Sequence, residues 1–365
     1  MEQRMTINRT TVSLLFLVGA LVAVACSQSS GTGGDDDGGT DTDTDTDVEC
    51  GWEVEVPQDS GLFDFLKDAW GSAPDDVYAV GQDDAIAHFN GVEWQAVDAP
   101  ASSTEYPYAY MAVWGADSDD VFAVGTVWVD SPTGIAVHFD GVEWTEMEVP
   151  EAVLLHSVWG SSGSDVYAVG PGWDAQSLPY SGARALHYDG DVWTEVVELD
   201  IDPYEMAYHD VWGSGPDDVF VVGEMPNHVA RVFHFDGSDW SEMLTDPDWR
   251  YPFRIEGTSS NSVYLTMDRP ECLAHFDGEL WGPAVLCEGV ESDGGDLDPW
   301  LLDLWNPEPG KVFMLDGDMT VWSWIDGEWT LELYDPEGLG ARTVWGFSVT
   351  NYYAIGALIW HYSCQ

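Results

Sequence analysis

The residues able to do chemistry in this chain are histidine, carboxylate, arginine and cysteine, and their spacing is regular. His88, His138, His187, His234, His275 and His361 fall at equivalent points of a repeated unit, with Trp324 in that place in the sixth unit. One imidazole per unit cannot converge on a metal, because His ligands must come within about 2.0–2.1 Å of a single ion. A nearer partner exists in the sequence. Asp76, Asp120, Asp165 and Asp218 hold a fixed place in the first four units, and the sixth loses both members together, with Lys311 and Trp324. The expectation is Asp–His hydrogen-bonded pairs that tie turns in place. A second series, two residues ahead of a recurring Trp-Gly, reads Asp68, Ala112, Ser157, Asp210, Arg254, Asp303 and Thr343. If these side chains approach a common axis, Asp68, Asp210 and Asp303 are oxygen ligands of the kind Ca2+ takes. A wet polar channel without a cofactor is the plainer expectation.

No catalytic residue can be assigned. Beyond the N-terminal segment the arginines are Arg184, Arg231, Arg250, Arg254, Arg269 and Arg342, and they share no repeated position from which to grip a substrate carboxylate. Carboxylates are so abundant that an acid/base pair could be picked out anywhere, which deprives such a pair of weight. No Ser/His/Asp motif or phosphate-binding glycine loop stands in the context it needs.

The 365 residues carry 67 acidic and 10 basic side chains, a formal net charge of −57. Nucleic acid is excluded as a partner, since phosphate binding needs Lys and Arg to displace counterions. So dense an acidic surface keeps a protein soluble and monomeric. Trp 20, Tyr 15, Phe 13, Gly 38 and Pro 19 describe an aromatic, turn-rich chain of all-β type.

Internal repetition supplies the elements that position these groups. Trp-Gly recurs at Trp70, Trp114, Trp159, Trp212 and Trp345; Trp305 keeps only the Trp, and Glu256-Gly257 stands in that place in the fifth unit. Seven residues on, in all seven units, lies an anchor: Val77, Val121, Val166, Val219, Val263, Val312 or Tyr352. A hairpin follows, with His and Trp six residues apart in five units and Trp324 and Trp329 five apart in the sixth. Four short alternating strands at a period of 40 to 53 residues make one propeller blade. The fold class is therefore an all-β, seven-bladed β-propeller over residues 49–365, with four antiparallel strands per blade.

The seventh unit ends at His361-Tyr362-Ser363-Cys364-Gln365, before its fourth strand. The segment Cys50-Gly51-Trp52-Glu53-Val54-Glu55-Val56-Pro57 matches the fourth strand around Trp144 and is expected to complete that blade. Cys50 and Cys364 then fall opposite one another, and Cys272 and Cys287 flank the hairpin of the fifth blade, so two disulfides in an oxidising compartment are expected.

Residues 1–25 read as a signal peptide, with Arg4 and Arg9 ahead of the apolar run Val12 to Ala25. The end of that run, Leu21-Val22-Ala23-Val24-Ala25-Cys26, resembles a bacterial lipobox, which implies lipidation of Cys26. Ser27 after the Cys implies sorting to the outer membrane of a Gram-negative cell. Residues 26–48, rich in Asp, Gly and Thr, cannot bury enough apolar surface to fold and read as an extended tether. The membrane would be reached through the lipid alone. The repeat Trp70-Gly71-Ser72 … Asp75-Asp76-Val77-Tyr78-Ala79-Val80-Gly81 … His88-Phe89 … Trp94 resembles secreted bacterial lipoproteins built of such propeller units, similar in appearance to WD40 and Kelch repeats. That resemblance implies the fold and an envelope location.

Length varies on one face only. The turns between first and second and between third and fourth strands are nearly constant. The step from the second-strand Gly to the third-strand His is 7, 13, 17 and 11 residues in blades one to four. From each outer Trp to the next inner Trp or its replacement it runs from 15 to 24. Variable loops on a rigid scaffold are where binding is built. These loops carry Tyr106, Tyr108, Trp128, Trp173, Tyr180, Arg184, Tyr204, Trp249, Arg250 and Tyr251, residue types enriched at binding hot spots. The expected function is a non-enzymatic envelope lipoprotein that presents this face to a protein, peptide or glycan. An envelope-assembly scaffold without small ligand is the alternative, and a polysaccharide-directed hydrolase or lyase ranks third.

Overall fold

The computed structural model describes residues 50–56, 65–98, 100, 106–128, 132–150, 153–172, 182–196, 207–225, 227–243, 245–269, 273–285, 291–292, 295–296, 301–334 and 340–364. Cys26, the signal peptide and the tether lie outside these residues, as do Cys272, Cys287, Trp173, Tyr180 and Tyr204.

Seven four-stranded antiparallel sheets form the ring. Blade one is Leu66–Ala73, Asp76–Gly81, Ile86–Phe89 and Trp94–Ala96, from inner to outer edge. The inner strands of the next five blades are Tyr108–Asp117, Ser157–Ser162, Ala207–Gly215, Arg250–Ser259 and Leu301–Glu308. Blade seven runs Ala341–Ser348, Asn351–Gly356 and Ile359–Cys364, and its outer strand is Cys50–Val56 from the other end of the chain. Each inner strand touches the inner strands of both neighbouring blades, and blade seven meets blade one. The ring is closed.

The second strand of every blade is buried on both faces, as in Asp76–Gly81 and Lys311–Asp316, because a blade is covered by its neighbours on each side. This explains the unbroken Val-Tyr-Ala-Val runs, which lack the polar alternation of a half-exposed strand. Each core cluster joins two adjacent blades. Tyr78, Val80 and Ile86 of blade one pack with Tyr110, Val121 and Val137 of blade two, and the pattern continues round the ring.

The closure is covalent as well as hydrogen-bonded. Cys50 pairs with Cys364 in register and in a disulfide, with 314 residues between them. Trp52 Nε1 donates to the Glu332 carbonyl at 2.8 Å, fixing the N-terminal strand to blade six. Glu55 bonds His361 Nδ1 at 2.8 Å within blade seven and accepts from Trp94 Nε1 of blade one at 2.7 Å.

The constant turns explain the Asp-Gly that recurs in blades two to six, with Asn90-Gly91 in its place in blade one. In four blades an Asp accepts from the backbone N–H groups two and three residues on, for instance Asp140 from Val142 and Glu143 at 3.0 Å each. Gly141 follows at φ 83, a left-handed conformation that disfavours a Cβ. Those two N–H groups hold the Asp140 carboxyl below the usual carboxylate range.

Candidate functional site

The Asp–His series forms the pairs expected of it. His88, His138, His187 and His234 each place Nε2 at 2.6–2.7 Å from Asp76, Asp120, Asp165 and Asp218. The second carboxylate oxygen accepts from Ser72, Ser161 or Ser214 at 2.5 Å in blades one, three and four. The Asp stands between Ser and His, so no imidazole is placed to take the serine proton, and a nucleophile relay would need the His in the middle.

The series two residues ahead of Trp-Gly stitches neighbouring blades together. Asp68 accepts from the Val113 N–H at 2.9 Å, Asp210 from Ile255 at 2.8 Å and Asp303 from Val344 at 2.9 Å. Ser157 Oγ does the same for Val211 at 3.3 Å and donates to Asp210 at 2.5 Å. In each case the donor is the residue just before the Trp, or its replacement, of the next blade. The cation at the centre of the three carboxylates is the chain's own Arg254. Its Nε lies 3.0 Å from Asp303 and its Nη1 3.6 Å from Asp210. Among the described residues no group of three or more His, Cys, Asp or Glu side chains could hold a metal ion.

Burial pushes the Asp68 carboxyl up to about 7, with Arg254 opposing and Asp303 adding to the shift. Burial also works against the Arg254 charge, but Asp303, Asp210 and Asp68 outweigh it, and the guanidinium stays protonated.

The residues that reach the central cavity are one position earlier, and sequence reasoning missed them as a set. Lys67, Met111, His156, His209, Phe253, Leu302 and Arg342, one from each blade, line a pocket of about 460 Å³ together with Phe65, Gln82 and Arg254. The cause is a bulge repeated round the ring. Pairing of inner and second strands skips Lys67, Met111, His209, Leu302 and Arg342, and in blade five both Phe253 and Arg254. In blade three the inner strand begins just after His156. A bulged residue leaves the ladder and is re-aimed, which bulges beside functional sites commonly achieve.

The pocket opens between the starts of the inner strands and the ends of the second strands, on the variable-loop face. Phe65 is half exposed at its rim, and its carbonyl accepts from the Gln82 N–H at 3.3 Å. Lys67 Nζ lies 3.1 Å from Met111 Sδ, and its pKa is lowered by burial and then by the Arg342 charge. Burial, His209 and Lys67 bring His156 down to about 4. His209 Nε2 is 3.7 Å from Glu224, ion-pair range but too long for a hydrogen bond.

The aromatic and basic loop residues divide. Tyr106 and Trp128 are about half exposed on the loop face. Tyr108 and Trp249, expected there, are core residues. The Tyr108 hydroxyl donates to Glu146 at 2.9 Å, and Trp249 packs within the cluster of blades four and five. Arg184 pairs with Glu195 at 3.1 Å, and Arg250 donates to the Pro247 and Trp249 carbonyls at 2.5 and 3.1 Å. Tyr251 stacks on His228 with centroids 4.3 Å apart.

No protein-family model matches the chain, and no curated protein sequence does. Solved structures do match. YCF48 bound to D1 peptide is similar at TM-score 0.59 and 12% identity, over 86% of this chain and 96% of that one. The WD40 β-propeller domain of Doa1 is similar at TM-score 0.60 and 11% identity, over 86% and 97%. A streptogramin B lyase is similar at TM-score 0.64 and 8% identity, again over 86% and 97%. At such identities the likeness is one of fold, shared by peptide-bound and enzymatic propellers alike.

Proposed function

We propose that this chain is a non-enzymatic cell-envelope lipoprotein that binds a protein or peptide on its variable-loop face, seated at the central pocket. One observation carries the reading. Seven structurally equivalent positions, six of them bulged, deliver seven side chains of unlike chemistry to one cavity on the face where loop length varies. A ring maintained for stability alone has no use for that diversity at its axis. A pocket of about 460 Å³ is in the size range of ligand sites. The likeness to YCF48 bound to D1 peptide is in keeping with a peptide ligand. A binding role is further supported by the Ser–Asp–His groups, which serve turn geometry, and by the buried aspartates, which are engaged by backbone and Arg254.

The test is capture from envelope extract by immobilised protein, comparing the natural chain with Met111→Trp, which fills the pocket. Specific capture of one protein, lost in Met111→Trp, supports the reading. Capture that Met111→Trp leaves intact moves binding off the pocket, and capture of a polysaccharide replaces the protein ligand with a glycan.

A further inference from the structure

Lys67 and Arg342 occupy equivalent bulges of adjacent blades, one and seven, and both line the pocket. Neither forms an ion pair among the described residues. In a chain with 67 acidic and 10 basic side chains, four other described cations do hold carboxylates, while Arg250 turns to backbone carbonyls. Arg184 holds Glu195, Arg231 holds Glu242, Arg254 holds Asp303 and Lys311 holds Glu308. The best acceptor given to Lys67 is the thioether of Met111, a weak one. Arg342 is exposed to the cavity mouth. Two neighbouring cations without an ion-pair partner among the described residues suit an anionic ligand.

The rest of the ring specifies the body that carries it. Met111 and Leu302 flank the cationic pair in blades two and six, Phe253 lies across the ring in blade five, and Phe65 stands at the rim. Apolar groups on both sides of two cations fit a charged group attached to an apolar side chain. The buried carboxyls of Asp68, Asp210 and Asp303 are engaged by backbone N–H groups and Arg254, and a guanidinium fork matches a carboxylate in a bidentate fashion.

We infer that the pocket reads the free C-terminal carboxylate of a peptide ending in an apolar residue, with Lys67 and Arg342 gripping the carboxylate and Met111, Leu302 and Phe253 receiving the terminal side chain. This rests on the ligand-binding reading above and names the chemical class of its ligand.

The chain offers an unusually clean readout, since Lys67 and Lys311 are its only lysines. Reductive 13C-methylation of the full chain in detergent therefore yields two lysine signals, besides the α-amine, and retains their charge. Lys311 serves as the internal control. The probes are N-acetyl-Ala-Ala-Leu and N-acetyl-Ala-Ala-Phe, each as free acid and as carboxamide, with inorganic phosphate as a third. The expected result is a saturable shift of the Lys67 signal by the free acids, with Lys311 unmoved and the carboxamides weaker by about tenfold or more. Arg342→Met should weaken the acids by a similar factor and leave the carboxamides unchanged. Its signals also report that the variant is folded.

Equal binding of acid and carboxamide would overturn carboxylate recognition and leave a peptide-binding pocket standing. Saturation by phosphate at equal or lower concentration would make the site a phosphate site. No shift with any probe would also overturn the inference, and the pull-down would then judge the broader reading by itself.

Discussion

The ring of Trp70 lies so close over Gly115 that a Cβ built there would sit 2.5 Å from its Cη2 atom. The same relation links Trp114 to Gly160, Trp159 to Gly213, Trp212 to Gly257 and, across the closure, Trp345 to Gly71. The Trp-Gly repeat is thus an interaction between blades, in which each Trp covers the Gly of the next. Gly115 has a backbone conformation open to any residue, so Gly115→Ala tests packing alone. It should destabilise by about 1–3 kcal/mol, seen as a lower denaturant midpoint at constant m-value.

Blades five and six break the repeat in a compensated way. Glu256 replaces the Trp, and the following blade has Asn306 where the Gly would be, whose backbone N–H donates to the Glu256 carboxylate. Glu256→Trp alone should clash with Asn306, while Glu256→Trp with Asn306→Gly should recover much of the loss. A double-mutant cycle should return a coupling above about 1 kcal/mol. Additivity would show that the two sites are independent.

The Cys50–Cys364 link constrains nearly the whole folded chain. Replacing both cysteines by Ser should lower stability by about 3–5 kcal/mol on chain-entropy grounds. Hydrogen exchange should rise first in Cys50–Val56 and Ile359–Cys364, the strands that join there.

Removing the Arg254 charge leaves Asp210 and Asp303 buried without a counter-ion. Arg254→Met should therefore cost about 3–5 kcal/mol and should be partly repaired by adding Asp303→Asn. Full stability in the single variant would contradict the central charge network.

Two groups of the ring give opposite slopes of stability with pH. His156 is depressed from 6.5 to about 4, so its contribution is complete above 6.5 and is lost as pH falls toward 4. Asp68 is raised from 3.8 to about 7, so its contribution is complete below 3.8 and is lost as pH rises toward 7. His156→Gln should flatten the acid limb. Asp68→Asn, which keeps an acceptor for Val113, should stabilise most above pH 7 and progressively less toward pH 4. Urea unfolding from pH 4 to 8 reads both.

The architecture was legible because repetition enforces it. Anchor spacing, the truncated seventh unit and the matching Cys50 segment led to the ring, its closure and one disulfide. The pocket was not. Strand alternation placed Asp68, Asp210 and Asp303 toward the axis, but a bulge in their inner strands, as in six of the seven blades, turns the preceding residue inward instead. A bulge adds a residue without a compositional mark when its neighbours remain ordinary strand formers. The one trace in sequence was the unlike chemistry of Lys67, Met111, His156, His209, Phe253, Leu302 and Arg342, two residues ahead of a column that is apolar in every unit. Tyr108 and Trp249 misled for the opposite reason, since aromatic residues in a variable connection also serve to cap the core beneath it.

Binding at the pocket face is tested most directly by site-specific photo-crosslinking in the producing cells. A benzophenone side chain would replace Phe65, half exposed at the pocket rim, or Val142, exposed at 84% in a constant turn on the opposite face. Binding at the pocket should give a discrete protein or peptide adduct from position 65 and none from position 142, with the first abolished by Met111→Trp. An adduct from position 142 alone, or one from position 65 that survives the filled pocket, would contradict it.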